Sequence, residues 1–150
     1  AELAATGTIE LDTATSSTRP IGIFQGCSFT DPNLNYKLFS QMWTASTSAT
    51  DILAHVADDP RQIFQVQGDA AIAQTGLGNN CDIITYAAGN TNIGKSILAL
   101  DAGNIATTNT LPLRIIDFVD GPFSTVGDSF TDVLVVWNAD IHQYDLALGT

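Results

Sequence analysis

From Ile21 onward the chain alternates short apolar runs with clusters of Gly, Pro, Asn, Asp and Ser. The runs recur at intervals of about ten residues, a spacing that predicts strands packed as a sandwich or barrel. Strands are expected near Ile21–Phe29, Tyr36–Trp43, Ile52–Ala57, Gln62–Gln67, Asp82–Tyr86, Ser96–Leu100, Leu111–Val119 and Thr131–Trp137. Within them the period is two: Phe64 and Val66 share a face with Gln62, while Leu111, Leu113 and Ile115 alternate with Pro112, Arg114 and Ile116. Val133 to Trp137 is apolar throughout, which predicts a strand buried on both faces. A single short helix is expected over Ala70–Thr75, capped by Asp69 and ended by Gly76.

Residues 1–20, AELAATGTIELDTATSSTRP, are small and polar, with one alternating patch around Ile9 and Leu11. Both glutamates, Glu2 and Glu10, fall here, and every later acid is Asp, which favours turns and strand ends. This shift places a boundary near Pro20, giving an N-terminal arm over 1–20 and an all-β domain over 21–150. No repeat, heptad pattern or long linker subdivides the rest. The expected fold is a single-domain β-sandwich or β-barrel with one short helix and an extended N-terminal arm.

Composition narrows the function classes. Sixteen acidic residues face five basic ones, a formal net charge of -11. Arg19, Lys37, Arg61, Lys95 and Arg114 lie far apart, so neither nucleic acid nor an anionic membrane surface is an expected partner. No run reaches the ~18 apolar residues of a membrane span, and the start has no secretory pattern. Cys27 and Cys81 are too few for a disulfide framework; buried free thiols are expected, with one bridge as the alternative.

The segments that imitate chemistry are few. Gly89-Asn90-Thr91-Asn92-Ile93-Gly94-Lys95-Ser96 fits the phosphate-binding pattern G-x-x-x-x-G-K-[ST], in which backbone N–H groups cradle phosphates and the hydroxyl holds Mg²⁺. That chemistry needs a helix opening at Lys95, yet Gly103 interrupts SILALDAGN and no βα units come after it. A Gly/Asn turn between strands is the expectation. Gly127-Asp128-Ser129-Phe130 imitates the nucleophile block of a lipase-like hydrolase family with His142 as base, but Ala139 stands where the Asp-x-x-His pattern needs its carboxylate. Asp31-Pro32-Asn33-Leu34-Asn35 opens like a calcium loop, then has Tyr36 where Gly is needed and Met42 where Glu is needed. Asp58-Asp59-Pro60 reads as a turn, and His55 and His142 lack neighbours at metal-ligand spacing. No catalytic, cofactor-binding or metal-ligating residue set is expected, and the chain is not expected to be an enzyme.

With the blocks PIGIFQGCSFTD, HVADDPRQIFQVQGD, GLGNN and TTNTLPLRIIDF, the chain resembles, over roughly residues 20–138, a family of small capsid-associated proteins of tailed phages, especially marine and cyanobacterial ones. The resemblance implies a capsid decoration, or cement, protein. Its partner would be the major capsid protein, its location the outside of the virion after synthesis in the host cytoplasm, and its state a homo-oligomer, dimer or trimer, on the shell. The arm is expected to order on a neighbouring subunit. Two other readings stay open: a carbohydrate- or receptor-binding β-sandwich module of a phage fibre, which needs an exposed aromatic platform such as Trp43 or Tyr36, and nucleotide binding through Gly89–Ser96.

Overall fold

The computed structural model describes residues 1–4, 7–10, 19–44, 46–87, 89, 90 and 92–145. The fold is all-β, as the period-two pattern demands. Its strands are β1 (Glu2–Leu3), β2 (Ile9–Glu10), β3 (Ile23–Thr30), β4 (Lys37–Ser40), β5 (Leu53–Ala57), β6 (Phe64–Gln67), β7 (Asn80–Thr85), β8 (Leu98–Ala106), β9 (Leu113–Phe118) and β10 (Asp132–Trp137). The strands expected after Pro20 all form, most of them trimmed by a residue or two at their ends.

The larger sheet has five strands in the order β6-β10-β9-β7-β8, and the smaller has three in the order β4-β3-β5; every pairing is antiparallel. The larger sheet curls until its two edges meet. A parallel bridge joins Gly68, just past β6, to Leu100 of β8, and the Asp69 N–H donates to the Leu100 carbonyl at 3.0 Å. Side chains from all five strands converge inside the curl: Val133, Val135 and Trp137 of β10, Leu113 and Ile115 of β9, Cys81 of β7 and Leu100 of β8, with Phe64 and Val66 of β6 packed alongside. Ile72, from the link after β6, joins the same cluster. Each such fully buried aliphatic chain stabilises the fold by about 1.5–3 kcal/mol.

Three sequence expectations change. The short helix is a single 3-10 turn over Gln74–Gly76, preceded by Ala73, with no side-chain cap. Asp69 is drawn elsewhere: its Oδ1 accepts the Ala102 N–H at 2.9 Å, so the carboxylate ties the β6 exit to β8 and is not free to cap a helix. That tie also explains why β8 continues through Asp101-Ala102-Gly103-Asn104, a stretch whose composition reads as a turn; a register shift between Asn80 and Asp82 absorbs the irregularity. Finally, β10 is not buried on both faces. Val133, Val135 and Trp137 point inward, and Leu134 and Val136 stay half-exposed.

In the smaller sheet β3 is central, and Gly26 lets it run close to its neighbour. Its φ is +141°, and a Cβ there would sit 2.6 Å from the Ser40 carbonyl oxygen. Cys27 and Phe29 are both buried, and Phe29 meets Trp43 edge-on at 5.3 Å. Both thiols are free and buried, on different sheets. Of the N-terminal arm, β1 and β2 pair as a two-stranded sheet, and the Ala1 nitrogen donates to the Gly22 carbonyl at 2.7 Å; residues 11–18, Leu11 among them, lie outside the described residues.

Candidate functional site

The segments that imitate chemistry occupy turns, and in each case local hydrogen bonding shows what the polar groups are used for. In Gly89–Ser96, Asn90 and Lys95 exchange backbone hydrogen bonds at 2.9 and 3.1 Å, and Gly94 takes a φ of +64° at the turn. The Asn92 N–H is taken up by the Asn90 side chain at 3.0 Å. The segment is therefore the tip of the β7–β8 hairpin. Beyond Lys95 the chain runs into strand β8, which begins at Leu98, whereas a phosphate cradle would need the N-terminus of a helix at Lys95.

Around Ser129, the Asp128 Oδ2 accepts the Thr125 N–H at 2.8 Å and the Asp128 carbonyl accepts the Thr131 hydroxyl, which shapes the turn into β10. His142 is fully buried. Its Nδ1 accepts the Tyr144 N–H at 3.3 Å, which leaves the proton on Nε2 to be donated to the Ile21 carbonyl at 3.2 Å. Both ring nitrogens are thus committed, and burial lowers the imidazole pKa below its usual value. This histidine is a joint in the fold. The turn around it fastens the exit of β10 to the entry of β3: the Gln143 N–H donates to the Pro20 carbonyl, and the Asn138 side chain donates to the carbonyls of Asn109 and Leu111. Tyr144 completes the tie through its hydroxyl, which donates to Asp58 beyond β5 at 3.0 Å.

The acidic turns are equally local. Asp31 Oδ1 accepts the N–H groups of Asn33 and Leu34, and Asn35 adopts a left-handed φ of +54°, closing the β3–β4 hairpin. Asp59 accepts the Arg61 N–H at 2.9 Å and so forms the turn into β6. No group of three or more His, Cys, Asp or Glu side chains converges at metal-binding distance among the described residues. His55 lies exposed on β5.

An open cleft of about 480 Å³ lies beside the His142 joint, lined by Pro60, Arg61, Val136, Trp137, Asp140 and Asp145. Trp137 supplies no stacking platform there. Phe64 and His142 crowd its ring at 5.5 and 5.8 Å, and its indole N–H is buried with no acceptor among the described residues.

What sets this surface apart is apolar. In the link from β9 to β10, Gly121 and Ser124 close a tight turn with reciprocal backbone hydrogen bonds, and Phe123 stands at its tip, 95% exposed. Val126 and Phe130 come later in the same link, both exposed. The Phe130 ring meets Tyr86, at the end of β7, edge-to-face at 6.2 Å. A second exposed pair, Phe39 and Leu53, flanks buried Ser28 on the smaller sheet, one on each side in register. Sequence reasoning places most aromatics in the core and one or two at an interface, without saying which; the structure leaves Phe39, Phe123 and Phe130 exposed. The signal for Phe123 is the Asp120-Gly121-Pro122 run before it, turn chemistry that holds the next residue away from any sheet.

Comparison of the chain with protein-family models, with curated proteins and with solved structures finds no match to any of them.

Proposed function

We propose that this chain is a structural virion protein that decorates the outside of a tailed-phage head and clamps neighbouring major capsid subunits. The observation that carries the reading is Phe123: a large apolar ring held into solvent on a turn that its own backbone locks shut. Burying such a ring in a partner's pocket contributes about 1.5–3 kcal/mol, and the locked turn reduces the ordering cost of docking. Aromatic anchors of this kind concentrate binding energy at protein interfaces.

The rest of the molecule supports the same use. A net charge of -11 keeps the free chain soluble despite its exposed aromatics. The blocks that resemble the decoration family build β3, the end of β5, the β5–β6 link, β6, the entry to β7 and strand β9. A modest contact repeated over a symmetric shell becomes strong through avidity, and a protein that binds the assembled lattice and not its separated subunits stabilises the lattice by mass action. The test is co-sedimentation of the chain with mature heads of its phage. Binding of the wild-type chain and its loss in Phe123→Asp supports the reading; wild-type chain left in the supernatant at saturating concentration overturns it.

A further inference from the structure

The second feature on the surface is an open strand edge. On one side β5 pairs with β3; its other side has no partner strand among the described residues. It is also bare on both faces at its start: Leu53 is 56% exposed, and its neighbours Ala54 and His55 are exposed too. Folded proteins ordinarily blunt such an edge with charge, Pro or a covering element, because unpaired N–H and C=O groups template the addition of another strand. The other edges here obey that rule. β4 carries Lys37, β2 carries Glu10, β8 carries Asp101, and β6 is closed onto β8 at Gly68. The run Ile52-Leu53-Ala54-His55-Val56-Ala57 has no Asp, Glu, Lys or Arg.

The charge pattern indicates what covers it. The carboxylates that flank the strand are turned onto donors of their own chain: Asp51 accepts the Thr30 N–H and hydroxyl at 2.8 and 2.7 Å, Asp58 accepts the Tyr144 hydroxyl, and Asp59 accepts the Arg61 N–H. On a surface of net charge -11, β5 offers two identical chains a backbone edge with no Asp, Glu, Lys or Arg in the paired segment, whereas β4 carries Lys37. An antiparallel strand is its own complement under a two-fold axis, so one apolar edge serves both partners.

We infer that β5 is a homodimer interface, at which the β5 edges of two copies pair antiparallel and join two three-stranded sheets into one continuous sheet. Leu53 is the apolar anchor, extended on its sheet face by Phe39. This interface is separate from Phe123 and does not depend on what Phe123 binds.

The contact is made of backbone bonds and apolar side chains between two anionic chains, so salt strengthens it by screening their repulsion; a contact held by Lys–Asp pairs would weaken. The experiment is sedimentation equilibrium of the purified chain over a range of concentrations at low and high salt. The expected result is a reversible monomer–dimer equilibrium, tighter at high salt, that is lost in Leu53→Glu and in Leu53→Lys and unchanged in Phe123→Asp. Far-UV circular dichroism identifies any variant that fails to fold, and either Leu53 variant alone decides the question. A monomer at every concentration and salt overturns the inference, as does a dimer that either folded Leu53 variant retains.

Discussion

At position 142 the chain places an imidazole where no water reaches it and commits both nitrogens to the backbone. Replacing it with Gln removes a titrating group and at least one of these bonds, and is expected to cost about 1–3 kcal/mol, read from the urea midpoint. The pH dependence has a definite sign. Burial lowers the folded-state pKa below the ordinary 6.5, so the unfolded chain takes up a proton first. The stability that neutral His142 contributes is complete above the unfolded pKa and is lost as pH falls through the folded one. Between about pH 7.5 and pH 5, wild type should therefore lose more stability than His142→Gln; equal losses would show that the imidazole pKa is not lowered by folding. Cys81 tests burial by a different chemistry. With its thiol pKa pushed up to about 12, first by desolvation and then by Asp82 and Asp101, and with Cys27 raised by burial, neither thiol should react with a disulfide reagent until denaturant is added. The burial of Cys27 and Cys81 as free thiols was legible in the sequence. The role of His142 as a joint was not, because the Ile21 carbonyl it meets is 121 residues away along the chain.

The elements divide in the same way. Period-two apolar runs were enough to find β3 to β7, β9 and β10, since a half-buried strand writes its orientation into its own residues. β8 was legible only in its first residues, because its continuation through Asp101–Asn104 depends on a tertiary bond from Asp69, and the same contact takes the carboxylate that a helix over Ala70–Thr75 would need as its cap. Asp69→Ala should therefore act on the seam, costing about 1.5–3 kcal/mol for a hydrogen bond to a charged acceptor. Hydrogen exchange at the Ala102 amide reads it directly. Faster exchange there, with protection of β9 and β10 retained in native conditions, is the expected result; uniform loss of protection would mean that the bond supports the whole core and not the seam.

At the scale of the molecule, the all-β class is set by composition and spacing, and the closure of the larger sheet is not, because it is made by one bridge between distant edges, Gly68 to Leu100. The surface was the least legible part. Phe39, Phe123 and Phe130 have the same apolar character as Phe29, which is buried, and only the fold decides which rings the two sheets can enclose. Phe123→Asp touches no core contact, so its effect on folding stability should stay within about 0.5 kcal/mol. Unchanged thermal unfolding combined with lost assembly would place the whole effect at an interface.

The most direct test of the assembly reading is cryo-electron microscopy of mature phage heads incubated with the purified chain. Added density is expected at symmetry-related seams between capsid subunits, with the β9–β10 link and Phe123 seated against the shell and no density for Phe123→Asp. Bare heads at saturating wild-type protein, or density that contacts the shell only through other elements and persists in Phe123→Asp, would contradict it.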